Sequence, residues 1–168
     1  MDTFQCIKTM RAVRQFTGTP IPDDVLQRIL EAGRWSGSSM NLQPWHLVVV
    51  RERRTLARLA ECGLYASHLR SAAAGIAIAI EPSAGAGDFD AGRLAQNLQL
   101  AAWSEGVGAC IAAMYEEDKA KDILGVPEEM QMWCVISFGY PAEETSARNG
   151  TPGAGRKKSE DIVHWEKW

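Results

Sequence analysis

Apolar positions fall first at helical spacing. Phe4, Ile7 and Met10 recur three residues apart, which predicts an opening helix over residues 2–10. Gly18 and Pro20 interrupt regular structure soon after. Pro20, Pro22, Asp23 and Asp24 then form a strong helix start, since proline suits the first turn and carboxylates face the positive end of the dipole. Val25, Leu26, Ile29, Leu30 and Gly33 carry this amphipathic helix to about Arg34. The run 47–50 predicts a strand, and Leu56, Leu59 and Ala60 predict a short helix closed by Cys62 and Gly63. Residues 72–80 become continuously apolar, as expected of a strand covered on both faces. A Gly/Ala/Ser loop over 82–90 follows, with Asp88 or Asp90 as the expected N-cap of the next helix. That helix carries Leu94, Leu98, Ala101 and Ala102 on one face and Gln96, Asn97 and Gln99 on another, reaching about Glu105. A long helix with small and partly polar residues on more than one face suits a subunit interface or an ordinary covering role. Residues 109–114 and 132–139 predict two further strands. Between them a short helix starts at Glu116, Glu117 and Asp118 and ends at Gly125.

Beyond Ala142 the pattern changes. Glu143, Glu144, Ser146, Asn149, Gly150, Pro152, Gly153 and Gly155 predict an extended tail, poorly ordered by itself. Yet it finishes with Arg156, Lys157 and Lys158 and then Ile162, Val163, Trp165 and Trp168, an apolar end that needs a surface to bury against. The expected organisation is therefore a core domain over 1–141 and an extension over 142–168. With 168 residues, 46% of them hydrophobic, the chain can build one substantial core. A net charge of −3 gives no electrostatic case for nucleic acid or an anionic membrane. Cys6, Cys62, Cys110 and Cys134 are scattered without metal spacing and read as reduced, buried thiols. No leader pattern and no long apolar run is evident, so a cytoplasmic protein is the expectation.

The stretch 35–45 is an over-long connector between a helix and a strand, rich in small hydroxyl residues and closed by Pro44 and Trp45. Ser and Asn side chains hold bends through local hydrogen bonds, so this could be an ordered turn or a cradle for a polar aromatic ligand. Arg11 and Arg14, just past the first helix, are either solvated arginines or a guanidinium pair for an anion. His46, His68 and His164 are isolated and read as structural. No nucleophile–base pair, carboxylate pair or phosphate-binding glycine turn is present. The remaining basic and hydroxyl groups suit a bound phosphate and a polarised ring, with the chemistry left to a cofactor.

These residues resemble the FMN-dependent nitroreductases. The resemblance rests on Arg11-x-Val13-Arg14-x-Phe16 and on Ser38-Ser39-x-Asn41-x-Gln43-Pro44-Trp45. Gln96-Asn97-x-x-Leu100-Ala101-Ala102-x-x-x-Gly106-x-Gly108 and Phe138-Gly139-Tyr140-Pro141 support it in order and spacing. It implies an α+β fold, a mostly antiparallel central sheet flanked by helices, in an intertwined homodimer with flavin at the subunit interface. It also implies an NAD(P)H-dependent FMN oxidoreductase that reduces nitroaromatics, quinones or similar electron-poor compounds by a ping-pong two-electron route. Chemistry would occur at the flavin N5, with no catalytic side chain and Arg14 as electrostatic stabiliser. By position, Arg11, Ala12, Val13 and Arg14 would line the FMN. Ser38, Ser39, Met40 and Asn41 would approach it from the other subunit, with Gln43, Pro44 and Trp45 holding the turn. The backbone at Ala112, Ala113 and Met114 would lie beside the ring, and Arg156 and Lys158 would hold the phosphate.

Some positions depart from the family pattern. Met10 stands where an arginine is common and Ala12 where a serine is common, and each charge-assisted bond is worth roughly 1.5–3 kcal/mol. Arg11 or the 156–158 cluster is left to supply the phosphate contact. Ala113 and Met114 replace the acidic residue and glycine often found beside the ring. A non-enzymatic flavin-binding or storage protein, or a dehydrogenase or dehalogenase on the same scaffold, are the alternative readings.

Overall fold

The computed structural model describes residues 1–82, 87–142 and 155–168. Its centre is a four-stranded antiparallel sheet of β1 (Trp45–Val50), β2 (Ala74–Ile80), β3 (Gly108–Ala113) and β4 (Gln131–Gly139), in the order β1-β2-β4-β3. β2 is buried at every position, as its unbroken apolar run predicts. Its Ile76, Ile78 and Ile80 join the core under α2 (Asp23–Arg34) and α4 (Gly87–Ser104), while Ala77 joins the core on the opposite face. That second layer consists of α3 (Arg53–Leu59), a 3₁₀ turn (Ala66–Ser71) and α5 (Glu117–Leu124). A sheet with helices on both faces is the α+β arrangement expected.

Helix α1 (Thr3–Thr9) packs near the far end of α4, where Trp103 Nε1 donates to Thr9 Oγ1 at 2.9 Å. Residues 11–13 then lie along the outer edge of β3, and Phe16 reaches the chain just past β4. Val13 N donates to Ala109 O at 2.9 Å, Ala12 bridges Ala109 in parallel, and Phe16 bridges Pro141. This close approach depends on Gly108, because a Cβ there would sit 2.6 Å from Val13 Cγ2.

One capping expectation needs correction. α4 begins at Gly87, so Asp88 and Asp90 both lie inside its first turn instead of capping it. Asp90 is buried, and its carboxylate serves a neighbouring loop. The 3₁₀ turn Ala66–Ser71 was not anticipated, and β1 starts earlier than expected, at Trp45. The tail residues 143–154 and the loop residues 83–86 fall outside the described residues.

Candidate functional site

The edge of β3 is the most chemically loaded part of the molecule. Arg11 Nη1 donates to Lys8 O at 2.9 Å and Met10 O at 2.8 Å, so its guanidinium closes the C-terminal end of α1. Its other terminal nitrogen, Nη2, is buried with no partner. A buried charged donor left unmatched is costly, and it marks a place that accepts an oxygen. Three residues on, the exposed Arg14 makes no hydrogen bond or ion pair with any described residue. Val13, between them, is only 2% exposed and anchors the segment.

Ladder parity determines which backbone groups face this edge. The N–H and C=O of Ala109 turn outward to residues 11–13, so those of Ile111 and Ala113 turn the same way. The chain at Gly63 closes the far end of the edge, since a Cβ there would lie 2.5 Å from Ala113 O. Ile111 is left between these two covers and is 41% exposed. Of the three positions expected beside a ring, Ala113 is exposed, whereas the side chains of Ala112 and Met114 are buried in the lower core. By the same parity the backbone groups of Ala112 turn toward β4, so Ala112 offers the edge neither its side chain nor its backbone.

The connector 38–41 lies elsewhere. Its 3₁₀ turn (Ser39–Asn41) holds Met40 at φ 48° and Asn41 at φ 58°, and Gln43 follows at φ 50°. Three left-handed non-glycine residues in so short a stretch form a strained segment of the kind that clusters at functional sites. It is held by specific bonds. Ser38 Oγ accepts from Gln43 N at 2.9 Å, and Ser39 N donates to Asp90 Oδ2 at 2.9 Å. Asn97 Nδ2 donates to Ser36 Oγ at 2.8 Å, and Arg93 lies against Gly37 with Nη1 at 3.7 Å from Asp90 Oδ1. Gln43 thus holds the turn, its Nε2 also donating to Asn41 O at 3.1 Å, and Ser38 braces it with Gln43. The side chain of Met40 is 85% exposed and that of Asn41 is also exposed.

Within one chain the two halves do not meet. The 38–41 loop is tied to Asp90 near the start of α4, while residues 9–14 sit beside Trp103 near its end. Those anchors are thirteen residues apart on one helix, or about 20 Å at 1.5 Å per residue.

Beneath the β3 edge lies a polar group that sequence reasoning treated as merely structural. His68 is buried and its Nδ1 lies 2.7 Å from Ser137 Oγ, which in turn donates to Cys110 O at 3.2 Å. Burial, reinforced by the positive charge of Arg14, pushes the imidazole down to about 4. Burial also raises the Cys110 thiol, against a smaller opposing pull from Arg14. The other histidines are peripheral: His46 Nε2 sits 3.1 Å from Glu81 Oε1, and His164 stacks on Trp168. All four cysteines are free and buried, in agreement with their scattered spacing.

Arg156 and Lys158 are exposed, and Lys158 Nζ lies 3.3 Å from Glu160. The residues missed from sequence were Asp90 and His68. Asp90 looked like a helix cap because an acid at a helix start ordinarily is one. No sequence signal distinguished His68, whose partner Ser137 is 69 residues away.

Fold and edge geometry define a class: a small α+β protein with a basic cradle on one sheet edge and a strained polar loop at the far end of its longest helix. The family model described as "Nitroreductase family" matches residues 7–64 and 61–140. The chain belongs to the nitroreductase family. It is 32% identical over 176 residues to a Methanothermobacter thermautotrophicus protein provisionally named NADH dehydrogenase/NAD(P)H nitroreductase, covering 100% of this chain and 88% of the relative. Among solved structures it is similar to the NADPH:FMN oxidoreductase of Vibrio harveyi complexed with NAD+, with TM-score 0.85, 26% identity, and coverage of 99% and 77% of the two chains. It is similar as well to a provisionally assigned Desulfovibrio desulfuricans nitroreductase in complex with FMN, with TM-score 0.81, 25% identity, and coverage of 100% and 98%. No helix among the described residues is long and apolar enough to cross a membrane.

Proposed function

We propose that this chain is an NAD(P)H-dependent FMN oxidoreductase acting on nitroaromatic, quinone or similarly electron-poor substrates by a ping-pong two-electron route. The observation that carries the reading is the buried, unmatched Nη2 of Arg11 beside Arg14, which has no hydrogen bond or ion pair among the described residues, on an open strand edge. An anionic cofactor with a planar, carbonyl-bearing ring would supply oxygen acceptors for these two guanidinium groups, so the residues fit FMN. When bound, the flavin would supply the electron-transfer chemistry that no side chain here provides.

The protein's own part is to bind, orient and balance charge. Arg11 offers its spare N–H to a phosphate or carbonyl oxygen, compensating for Met10. Arg14 would bring a permanent positive charge to the bound ring and favour added negative charge on it. Ile111 and Ala113 present backbone groups along the strand edge, while Val13 and Gly108 hold the arginine segment in place. Arg156 and Lys158 are the further phosphate ligands on this reading, carried by an extension over 142–168 that follows a core domain over 1–141.

A homodimer belongs to the same proposal. Because the turn that carries Ser38, Ser39, Met40 and Asn41 is tied through Ser39 N to Asp90, about 20 Å along α4 from the Trp103–Thr9 contact that anchors the segment leading to Arg11 and Arg14, one flavin meets both if two chains face each other. An open cleft of about 290 Å³ between α1, α2 and α4, with Phe4 and Ile7 exposed on α1, supports a partner on this side. Cytoplasmic residence is proposed too, supported by four unpaired thiols.

The absorbance spectrum of the purified protein, taken with its native mass, tests cofactor and dimer together. A yellow dimer that oxidises NADH or NADPH with a nitroaromatic or quinone acceptor is expected. Colourless protein that takes up no added FMN would overturn the reading.

A further inference from the structure

The connector that ends in the strained loop lies along a polar stripe on α4. Asp90, Arg93 and Asn97 fall at i, i+3 and i+7, the spacing that sets side chains on one helix face. Each meets a different connector residue, in reverse chain order. Asp90 Oδ2 accepts from Ser39 N at 2.9 Å, and Asn97 Nδ2 donates to Ser36 Oγ at 2.8 Å. Between them, a Cβ on residue 37 would sit 2.5 Å from Arg93 Nη2, so Gly37 is what lets the guanidinium pass. The polarity of Asn97, which in sequence suits a subunit interface, is thus used within the chain.

Asp90 is the most buried member of the stripe, at 2% exposed. A carboxylate is costly to bury unless it is bonded, and as a charged acceptor it makes one of the stronger bonds to a backbone N–H. Its bond falls on the amide just before two left-handed residues, Met40 at φ 48° and Asn41 at φ 58°. Non-glycine residues keep that conformation where their surroundings impose it. Gln43 grips the far side of the pair, its N donating to Ser38 Oγ and its Nε2 to Asn41 O. Because Asp90 holds the loop by a backbone donor, the side chains of Ser39, Met40 and Asn41 stay exposed.

We propose that Asp90 is the positioning residue of the 38–41 loop: bonded to Ser39 N–H and flanked by Arg93 and Asn97, it locks Met40 and Asn41 in the left-handed conformation in which the loop meets the flavin. An apolar side chain at residue 90 fills the same volume but leaves the Ser39 amide unmatched, whereas an asparagine keeps the oxygen. The service to the flavin rests on the function proposed above; the lock itself is a property of one chain.

Proton NMR of the full-length protein, stripped of flavin, reads the lock directly. A residue at positive φ gives a strong NOE between its own amide and α protons, and Met40 and Asn41 should both show it. The signal should be lost in Asp90→Leu and kept in Asp90→Asn. Both NOEs persisting in Asp90→Leu would overturn the proposal. FMN affinity supplies the second arm. Asp90→Leu should weaken binding about tenfold, and Asp90→Asn should recover most of it. Equal losses in the two variants would point to packing at residue 90 and overturn the positioning role. Gly37→Ala, at an exposed residue, decides the matter if Asp90→Leu does not fold. Its Cβ moves the Arg93 guanidinium off Asp90 and leaves the buried carboxylate unbalanced, so the NOEs should weaken and affinity fall about threefold. No change in either would count against the lock. If the NOEs vanish in Asp90→Leu while FMN affinity holds, the lock stands and the 38–41 loop has no part in binding flavin.

Discussion

Adding one methyl group at Gly108 should displace the whole arginine cradle. The new Cβ would meet Val13 Cγ2 at 2.6 Å, its Cβ at 2.7 Å and its Cγ1 at 3.0 Å. Comfortable carbon contacts lie at about 3.5–4.0 Å, so the two segments must part by roughly 1 Å. Val13 has little room to yield, being β-branched, 2% exposed and packed with Phe16 and Ala72. The strain must then stretch the Val13 N to Ala109 O bond of 2.9 Å, the tie that places Arg11 and Arg14 at the edge. Overpacking of this kind costs about 1–3 kcal/mol, a fall in Tm of about 2–10 °C for a chain of this size. The functional effect should be larger than the stability effect, because a 1 Å misplacement of binding groups can cost up to about 100-fold. Thermal unfolding followed by circular dichroism, at one protein concentration and without added FMN, reads the first effect. Titration of the stripped protein with FMN, followed by flavin fluorescence, reads the second. A Gly108→Ala variant with Tm within 1 °C of the parent, below the roughly 2 °C that even a 1 kcal/mol cost would leave, and with unchanged FMN affinity would refute the argument.

Other outcomes follow from the same geometry. His68 has a native pKa near 4, below its ordinary 6.5, so the unfolded chain binds a proton that the native state refuses. Stability is therefore complete above about pH 6.5 and falls as the pH drops toward 4, by at most about 3 kcal/mol and less wherever water screens the ring. Urea denaturation between pH 7 and pH 4 should show this slope, and His68→Phe should flatten it; parallel slopes would sink the assignment. Asp90→Ala removes the buried acceptor of Ser39 N–H and frees Arg93, costing about 1.5–3 kcal/mol. Hydrogen exchange at the Ser39 amide should accelerate strongly, and an unchanged rate would mean that the loop is held by other bonds. Leu98, fully buried between α2 and α4, should lose about 2–5 kcal/mol on replacement by alanine, measured as a lower denaturation midpoint. Arg14→Ala should slow flavin reduction or shift its midpoint potential, and a variant unchanged in both would remove Arg14 from the mechanism.

Much of the fold was legible because it is a local matter. The all-apolar β2, the acid-started α2 and α5, and the Gly125 stop after α5 are each written within a dozen residues. Helix caps were less legible. Asp90 has the sequence appearance of a cap, yet it lies inside α4 and reaches the 38–41 loop, a partner 51 positions earlier.

The chain's order of residues by itself determined the alternation of elements, the buried central strand, the four reduced thiols and the basic character of residues 11–14. Periodicity and turn chemistry act over one or two turns of chain, so they survive without knowledge of neighbours. Tertiary structure alone decided that residues 11–13 lie on the β3 edge, that Arg11 and His68 each keep an unmatched buried atom, and that the 38–41 loop is anchored at the opposite end of α4. Those facts depend on which surfaces meet across tens of residues. A solvated arginine and one with a buried nitrogen, or a surface histidine and a core one, have the same sequence signature and differ only in their surroundings.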